Sequence, residues 1–271
     1  MSEIKVATWN TLNSLGDPER RSHAVSAINR TGADIVWLGE AAFKHDDQSQ
    51  YNLGVALNTF ASEGYQALVT DVSRDPRHRN NHSNVMLSRD TATHPRQFQT
   101  GVRLGAWSDV GGVAVVGVLL PDYSSTEREK GIQDVLAVSH EGPMVIMGDF
   151  NAMYRHGWRP SVARRVAAIS RALPGGNIKN YYDSRGVERA RGLIERLGDM
   201  ASDTVMQLAT EYGFTSADPA HAPTVGNPPL FCIDHILVNS GLNVRIFNQV
   251  QPTSNRGPLS DHKMLTATIR Y

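Results

Sequence analysis

The stretch Met147-Gly148-Asp149-Phe150-Asn151-Ala152 sets a carboxylate and a carboxamide two residues apart, directly after the apolar run Pro143 to Met147. Gly, Asp and Asn also make turns, so the pair acquires chemical meaning only alongside residues from elsewhere. Asn10 follows "IKVATW" and Glu40 follows "DIVWL", two further apolar runs. Asp261-His262 precedes the run "MLTATI", and Asp234 lies inside "FCIDHILVN", among apolar neighbours. A buried Asp needs a partner, and His262 is the candidate. Glu40, Asp149 and Asp261, with the amide oxygens of Asn10 and Asn151, form an all-oxygen donor set. Such hard donors suit Mg²⁺ or Mn²⁺ rather than zinc. Magnesium keeps several waters and takes one or two carboxylates, which leaves a carboxylate to orient or deprotonate a water. A histidine held by a carboxylate favours its protonated form and can stabilise charge on a phosphoryl oxygen. Metal, water-orienting Asp and cationic His together make a phosphoester hydrolase.

The elements that would position these residues alternate between short apolar runs and helical patterns. Strands are expected over 4–9, 34–38, 66–72, 83–88, 112–120, 143–147, 231–239, 243–248 and 264–269. Ala24, Ala27 and Ile28 recur at helical spacing before Gly32. Leu53, Ala56, Leu57, Phe60 and Ala61 share a helical face closed by Gly64. Ser124 and Glu127 have capping-box spacing at the head of a helix over 124–140, and 159–173, 187–199 and 202–213 also read as helical. Asn10, Glu40, Asp149 and Asn151 each fall just past an expected strand end, where a rigid sheet can hold side chains from distant segments together. Alternation within 231–239 puts His235 on the opposite face from Asp234, which makes it the control for that pair. No sharp shift in composition divides the 271 residues, so one α/β domain covering 1–271 is the economical reading.

Composition limits the partners. Lys+Arg and Asp+Glu both number 27, so strong non-specific attraction to nucleic acid or anionic membrane has no global basis. Charge is uneven, however: Arg155 to Arg196 holds ten Lys/Arg against three acids. That stretch is either a solvated helical face or a basic flank for a phosphate-bearing substrate. The one cysteine, Cys232, excludes an internal disulfide and a cysteine-based zinc site. No run of 18 apolar residues and no secretory signal is found, so a cytoplasmic protein without a membrane span is expected, with a monomer favoured.

In order along the chain, "ATWNTL" (7–12), "VWLGE" (36–40), "SNVMLSR" (83–89), "VIMGDFNA" (145–152), "CIDHILV" (232–238) and "PLSDHKML" (258–265) resemble the endonuclease/exonuclease/phosphatase superfamily. The resemblance covers almost the whole chain, and its weight lies in the ordered set. It implies a four-layer α/β sandwich, two packed mixed β-sheets with helices outside and the active site at one edge. It also implies roles. Glu40 matches the metal-binding glutamate, with Asn10 its neighbouring ligand and Asp261 an aspartate linked to metal or water. Asp149 matches the aspartate that positions or activates water, and Asn151 the asparagine that contacts phosphate and orients it. His262 matches the catalytic histidine, oriented by Asp234. Asn84 falls where many phosphatase-like members carry an asparagine and is assigned to substrate binding.

One position departs from the pattern. Most members have a His, and the repair-endonuclease branch a Tyr, where this chain has Leu119. His82, Arg79 and Tyr123 are the candidate stand-ins for that phosphate contact or leaving-group acid. The reading that results is a Mg²⁺-dependent (or Mn²⁺-dependent) phosphodiesterase, a nuclease first. A phosphomonoesterase or a phospholipid headgroup hydrolase is the alternative, and a degenerate phosphate-binding module the non-enzymatic one.

Overall fold

A computed structural model describes residues 2–43, 46–71, 82–89, 93–101, 103–122, 124–138, 142–152, 204–225 and 232–271. The first sheet comprises β1 (Glu3–Asn10), β2 (Ile35–Phe43), β3 (Gln66–Asp71), β4 (His82–Ser88), β11 (Asn243–Val250) and β14 (Met264–Arg270), in the order β11-β14-β1-β2-β4-β3. The second comprises β5 (Thr93–Thr100), β6 (Arg103–Val110), β7 (Val113–Leu119), β8 (Met144–Asp149), β9 (Thr215–Ser216) and β10 (Asp234–Val238), in the order β5-β6-β7-β8-β10-β9. Both are mixed: β1 pairs β2 in parallel and β7 pairs β8 in parallel, the remaining pairs being antiparallel. A two-residue pair, β12 (Thr253–Ser254) with β13 (Gly257–Pro258), lies in the loop before β14.

Three apolar layers hold the stack together. Ile4, Val6, Trp37 and Met86 of the first sheet meet Val115, Val145, Met147 and Ile236 of the second. Helices α1 (Pro18–Thr31) and α2 (Asp47–Ser62) cover the outer face of the first sheet with Ile28, Leu53 and Phe60. Helices α3 (Ser125–Ala137) and α4 (Thr204–Glu211) cover the outer face of the second with Ile132, Val135 and Met206. This is the four-layer α/β sandwich. Each fully buried aliphatic or aromatic side chain contributes roughly 1.5–3 kcal/mol. The central strands are near-continuous apolar runs because both of their faces are covered.

The caps at Gly32 and Ser124 follow the sequence signals, and Asp17 adds one that the sequence reading did not include. Asp17 accepts from the Glu19 N–H at the head of α1, and Gly32 closes that helix in the left-handed region. Ser124 accepts from the Glu127 N–H, 3.3 Å away, at the head of α3. Helix α2 begins earlier than its apolar face suggests, because Asp46 caps it. Strands β5 and β6 are additions to the sequence reading. The first is a polar edge strand whose register slips between Thr93 and Arg96, around Pro95, so it lacks clean alternation. The helical patterns over 159–173 and 187–199, and the basic stretch from Arg155 to Arg196, lie outside the described residues. No helix among the described residues is long and apolar enough to cross a membrane.

Close approach between the sheets shapes the end of the sandwich that carries the polar residues. The Trp37 ring lies over Gly117 of β7, where a methyl group would overlap it, and its indole N–H donates to the Val118 carbonyl at 2.9 Å. Gly117→Ala is therefore expected to destabilise the protein by about 1–3 kcal/mol, as overpacking does. Urea unfolding followed by tryptophan fluorescence measures this, and an unchanged midpoint would contradict the Trp37 wedge.

Candidate active site

Side-chain alternation carries the inner faces of both sheets to one edge of the sandwich. On β8, Val145 and Met147 face inward, and so does Asp149, the last residue of the strand. Gly148 serves a different purpose from ending the strand, because β8 pairs with β7 through Leu119 and Asp149. A side chain at Gly148 would collide with the Val118 carbonyl, and its φ of 147° is one that L-residues rarely adopt. Asp149 stands between Leu119 of β7 and Asp234 of β10, its cross-strand neighbours.

Two hydrogen bonds converge on Asp149, one from the first sheet and one from the loop after β8. Asn10 Nδ2 donates to Asp149 Oδ2 at 3.1 Å, while Asn10 Oδ1 accepts from the Leu12 N–H, which sets the orientation of the amide. The Asn151 main-chain N–H donates to Asp149 Oδ1 at 2.9 Å, with Asn151 held at φ 48°. Asn151 Nδ2 donates to the Leu120 carbonyl at 2.8 Å, which leaves its second N–H and its Oδ1 for other partners. Burial, then the charge of Asp234, raises the Asp149 pKa, while His262 and the two donors work to lower it. A carboxyl raised in this way can exchange a proton close to neutral pH.

His262 Nδ1 lies 2.9 and 3.0 Å from the two carboxylate oxygens of Asp234, and both residues are buried. Burial by itself would lower the histidine pKa. The charge and hydrogen bond of Asp234, helped by Asp149 and Asp261, outweigh that and hold it up at about 10. The ring is thus an imidazolium, with Nε2–H turned away from Asp234 and 3.9 Å from Asp261 Oδ1. Its backbone is also fixed: Trp9 Nε1 donates to the His262 carbonyl, and the His262 N–H donates to Ser260 Oγ, whose own hydroxyl donates to the Asn10 carbonyl. Thr224 Oγ1 accepts from the main-chain N–H of Ile233 and Asp234.

Glu40 departs from its expected place. The strand does not end before it but runs on to Phe43 through a bulge that shifts the β2–β4 register between Leu38 and Ala42. Glu40 sits in that bulge at φ 50°, an unusual conformation for a residue with a side chain. Its N–H donates to Asn84 Oδ1 at 2.9 Å, and its carbonyl accepts from Asn13 N–H at 2.7 Å and from Thr11 Oγ1 at 3.1 Å. Among the described residues its carboxylate meets no cation or donor. A half-buried, uncommitted carboxylate on a clamped backbone, at an edge rich in oxygen donors, fits a hard divalent cation. Asp149, Asp234 and His262 also offer ligand atoms within 4.8 Å of one another. Two buried carboxylates and one imidazolium leave that group a net negative charge when both acids are ionised.

The structure thus joins Asn10, Asp149, Asn151, Asp234 and His262 by direct contact, with Asp261 beside His262 and Glu40 in the neighbouring bulge. Asn84 is completely buried, and its Nδ2 has no partner among the described residues. His82 begins β4 and packs its ring on Phe43, with centroids 4.7 Å apart. Arg79 and Tyr123 lie outside the described residues. Leu119 is buried on the inner face beside Asp149 and adds to the desolvation of that carboxyl. Sequence reasoning missed Ser260 and Thr224. The only signal for Ser260 was a hydroxyl two residues ahead of His262, a spacing that many turns share.

Solved structures place this arrangement in a known fold. The chain is 18% identical to an endonuclease/exonuclease/phosphatase from Beutenbergia cavernae, with all of this chain and 72% of that one covered at a TM-score of 0.65. It is 14% identical to the human Nocturnin catalytic domain with bound sulfate anion, covering 99% and 94% of the two chains at a TM-score of 0.62. It is 16% identical to a 3'-5' exonuclease from Neisseria meningitidis, covering 97% and 98% at 0.57. A family model described as the Endonuclease/Exonuclease/phosphatase family matches residues 7–262, and the chain belongs to that family. Its members are generally hydrolases of phosphoester bonds and typically use divalent metals. No curated protein matches the chain by sequence.

The histidine–carboxylate pair has a direct titration test. Ring NMR of wild-type protein should find His262 cationic through neutral pH, losing its proton near about 10. Asp234→Asn should move that midpoint down toward the ordinary value of about 6.5. Because folding raises this pKa, the stability that the proton contributes is full below about 6.5 and is lost as pH climbs toward about 10. A wild-type midpoint of about 6.5 would contradict the pairing.

Proposed function

We propose that the protein is a divalent-metal-dependent phosphodiesterase that cleaves nucleic acid: water attacks phosphorus, the P–O ester bond opposite it breaks, and the released alkoxide takes a proton from solvent. The observation that carries this reading is the acid-rich edge where Asn10 holds Asp149 and Asp234 holds His262. An anionic phosphodiester would be repelled from this group of carboxylates unless a cation entered with it. Glu40 would hold that cation with Asn10 and Asp261, and a Mg²⁺ or Mn²⁺ ion there would offset charge developing on the phosphoryl oxygens.

Asp149 takes the proton of the attacking water. Its two fixed hydrogen bonds aim the carboxylate, and its raised pKa suits it to hold a proton near neutrality. His262 Nε2–H donates to a phosphoryl oxygen as negative charge builds, and Asp234 keeps the ring charged and oriented. The second N–H of Asn151 and the N–H of Asn84 that has no partner among the described residues are further donors to phosphate. The choice of nucleic acid rests on the basic stretch from Arg155 to Arg196 and on relatives of the same fold described as a 3'-5' exonuclease and an AP endonuclease.

A substrate panel tests the reading: single- and double-stranded DNA, RNA, abasic DNA, an inositol phosphate and sphingomyelin, each with Mg²⁺, Mn²⁺ or excess chelator. Hydrolysis should require the cation and be fastest on a nucleic acid. Asp149→Asn should lower turnover by roughly 10²–10⁴-fold, the range for a lost general base. Full activity in chelator, or cleavage confined to the inositol phosphate or sphingomyelin, would overturn it. Asn84→Asp offers a finer check. It keeps an acceptor for the Glu40 N–H but replaces the donor, so KM should rise by about 10-fold or more with folding intact. An unchanged KM would remove Asn84 from the substrate contacts.

A further inference from the structure

His235 is the neighbour of Asp234 on β10, and alternation does send it to the opposite face, away from His262. That face is not idle, however. His235 pairs across the ladder with Gly148, so its ring lies beneath the chain that leaves β8. Its Nε2 is 2.9 Å from the Ala152 carbonyl oxygen. The ring meets Phe150 edge-on, with centroids 5.4 Å apart and planes at 81°. The Phe150 N–H donates to the Ile233 carbonyl at 2.9 Å, which ties the same loop to the start of β10. His235 is 2% exposed.

A carbonyl oxygen can only accept, so the ring must carry its proton on Nε2. Nδ1 is 4.0 Å from Cys232 Sγ. Burial lowers the pKa of the ring to about 4, so it stays neutral over the working range. The bond falls on the residue that follows Asn151. Asn151 is held at φ 48° and directs its main-chain N–H onto Asp149 Oδ1. With the Ala152 carbonyl released, Asn151 would be free to relax out of the left-handed region, and its N–H would leave Asp149.

We propose that His235 is a positioning residue: its Nε2–H bond to the Ala152 carbonyl holds the Asn151 N–H on Asp149, so a side chain that never meets substrate aims the water-activating carboxylate. The catalytic half of this statement rests on the function proposed above, and the structural half stands without it. A purely space-filling histidine would need only its shape. A positioning histidine needs its donor.

The test compares His235→Leu, which removes the donor, with His235→Gln, whose amide nitrogen reaches about as far as Nε2. Amide hydrogen exchange reads the loop directly. In His235→Leu the Asn151 amide should exchange about 10-fold faster or more while β14 amides keep their protection, and His235→Gln should restore most of it. In turnover, His235→Leu should lower kcat by roughly 10–100-fold with KM nearly constant, and His235→Gln should recover to within about 3-fold of wild type. The alkaline limb of the pH–rate profile should not move, because His262 and Asp234 are untouched. Wild-type exchange at Asn151 in His235→Leu would overturn the proposal. So would equal loss in His235→Gln and His235→Leu at matched stability. Should His235→Leu not fold, ring ¹⁵N NMR of wild type decides: a proton on Nδ1 and none on Nε2 contradicts the bond. If wild type hydrolyses nothing, the functional reading fails, while the exchange and ring measurements still judge the loop restraint.

Discussion

Asp149 and Asp234 stand directly opposite one another on adjacent antiparallel strands, both buried. Like charges in facing positions destabilise a sheet, and burial makes the repulsion worse. Much of the surrounding structure can be understood as compensation for that placement. The imidazolium of His262 is bound to one carboxylate, and two N–H donors, from Asn10 and Asn151, are bound to the other. Those partners come from β1, from the loop after β8 and from the residues just before β14. The sheets must therefore be in register before the acids can be tolerated. Broken pairings at this edge would leave buried charge uncompensated, which costs several kcal/mol.

The same placement links fold to chemistry. Asp149 has apolar Leu119 on one side and acidic Asp234 on the other, and both environments penalise its ionised form. A carboxyl in that position holds a proton more readily than an exposed one does. The same negative surroundings raise the His262 pKa as well, which for an imidazole favours the charged form. Both groups are therefore raised in pKa together, which brings Asp149 toward neutrality and keeps His262 cationic above it. Glu40 completes the edge from the first sheet. Its backbone is held at φ 50° by Asn84, Asn13 and Thr11, while its carboxylate meets no partner among the described residues. Local strain concentrated at one carboxylate, supported on both sides of its peptide unit, is characteristic of a site built for a ligand.

Much of this was legible in the sequence, for identifiable reasons. Strands such as "PMVIM" and the helix headed by Ser124 and Glu127 carry strong local signals. Asn10, Asp149, Asn151 and His262 were legible because polar residues beside apolar runs are conspicuous, and Asp234 because it lies inside one; here they met. What escaped notice has weak local signals. Strand β5 is polar because it is an edge, and its hairpin with β6 lacks an apolar period. The bulge at Glu40 arises from pairing with Asn84, 44 residues away, which spacing cannot show. His235 looked inert by alternation, and the face was read correctly. Its partner could not be read, because the Ala152 carbonyl belongs to a loop whose path depends on the whole second sheet.

The central claim is that this edge of the sandwich accepts a phosphoryl group only together with a divalent cation. Calorimetric titration of inorganic phosphate into the protein, with and without saturating Mn²⁺, measures it without reference to any substrate. The account predicts measurable phosphate binding with Mn²⁺, little or none in chelator, and loss of the Mn²⁺-dependent binding in Glu40→Gln. Phosphate binding of equal strength with and without the cation would contradict it.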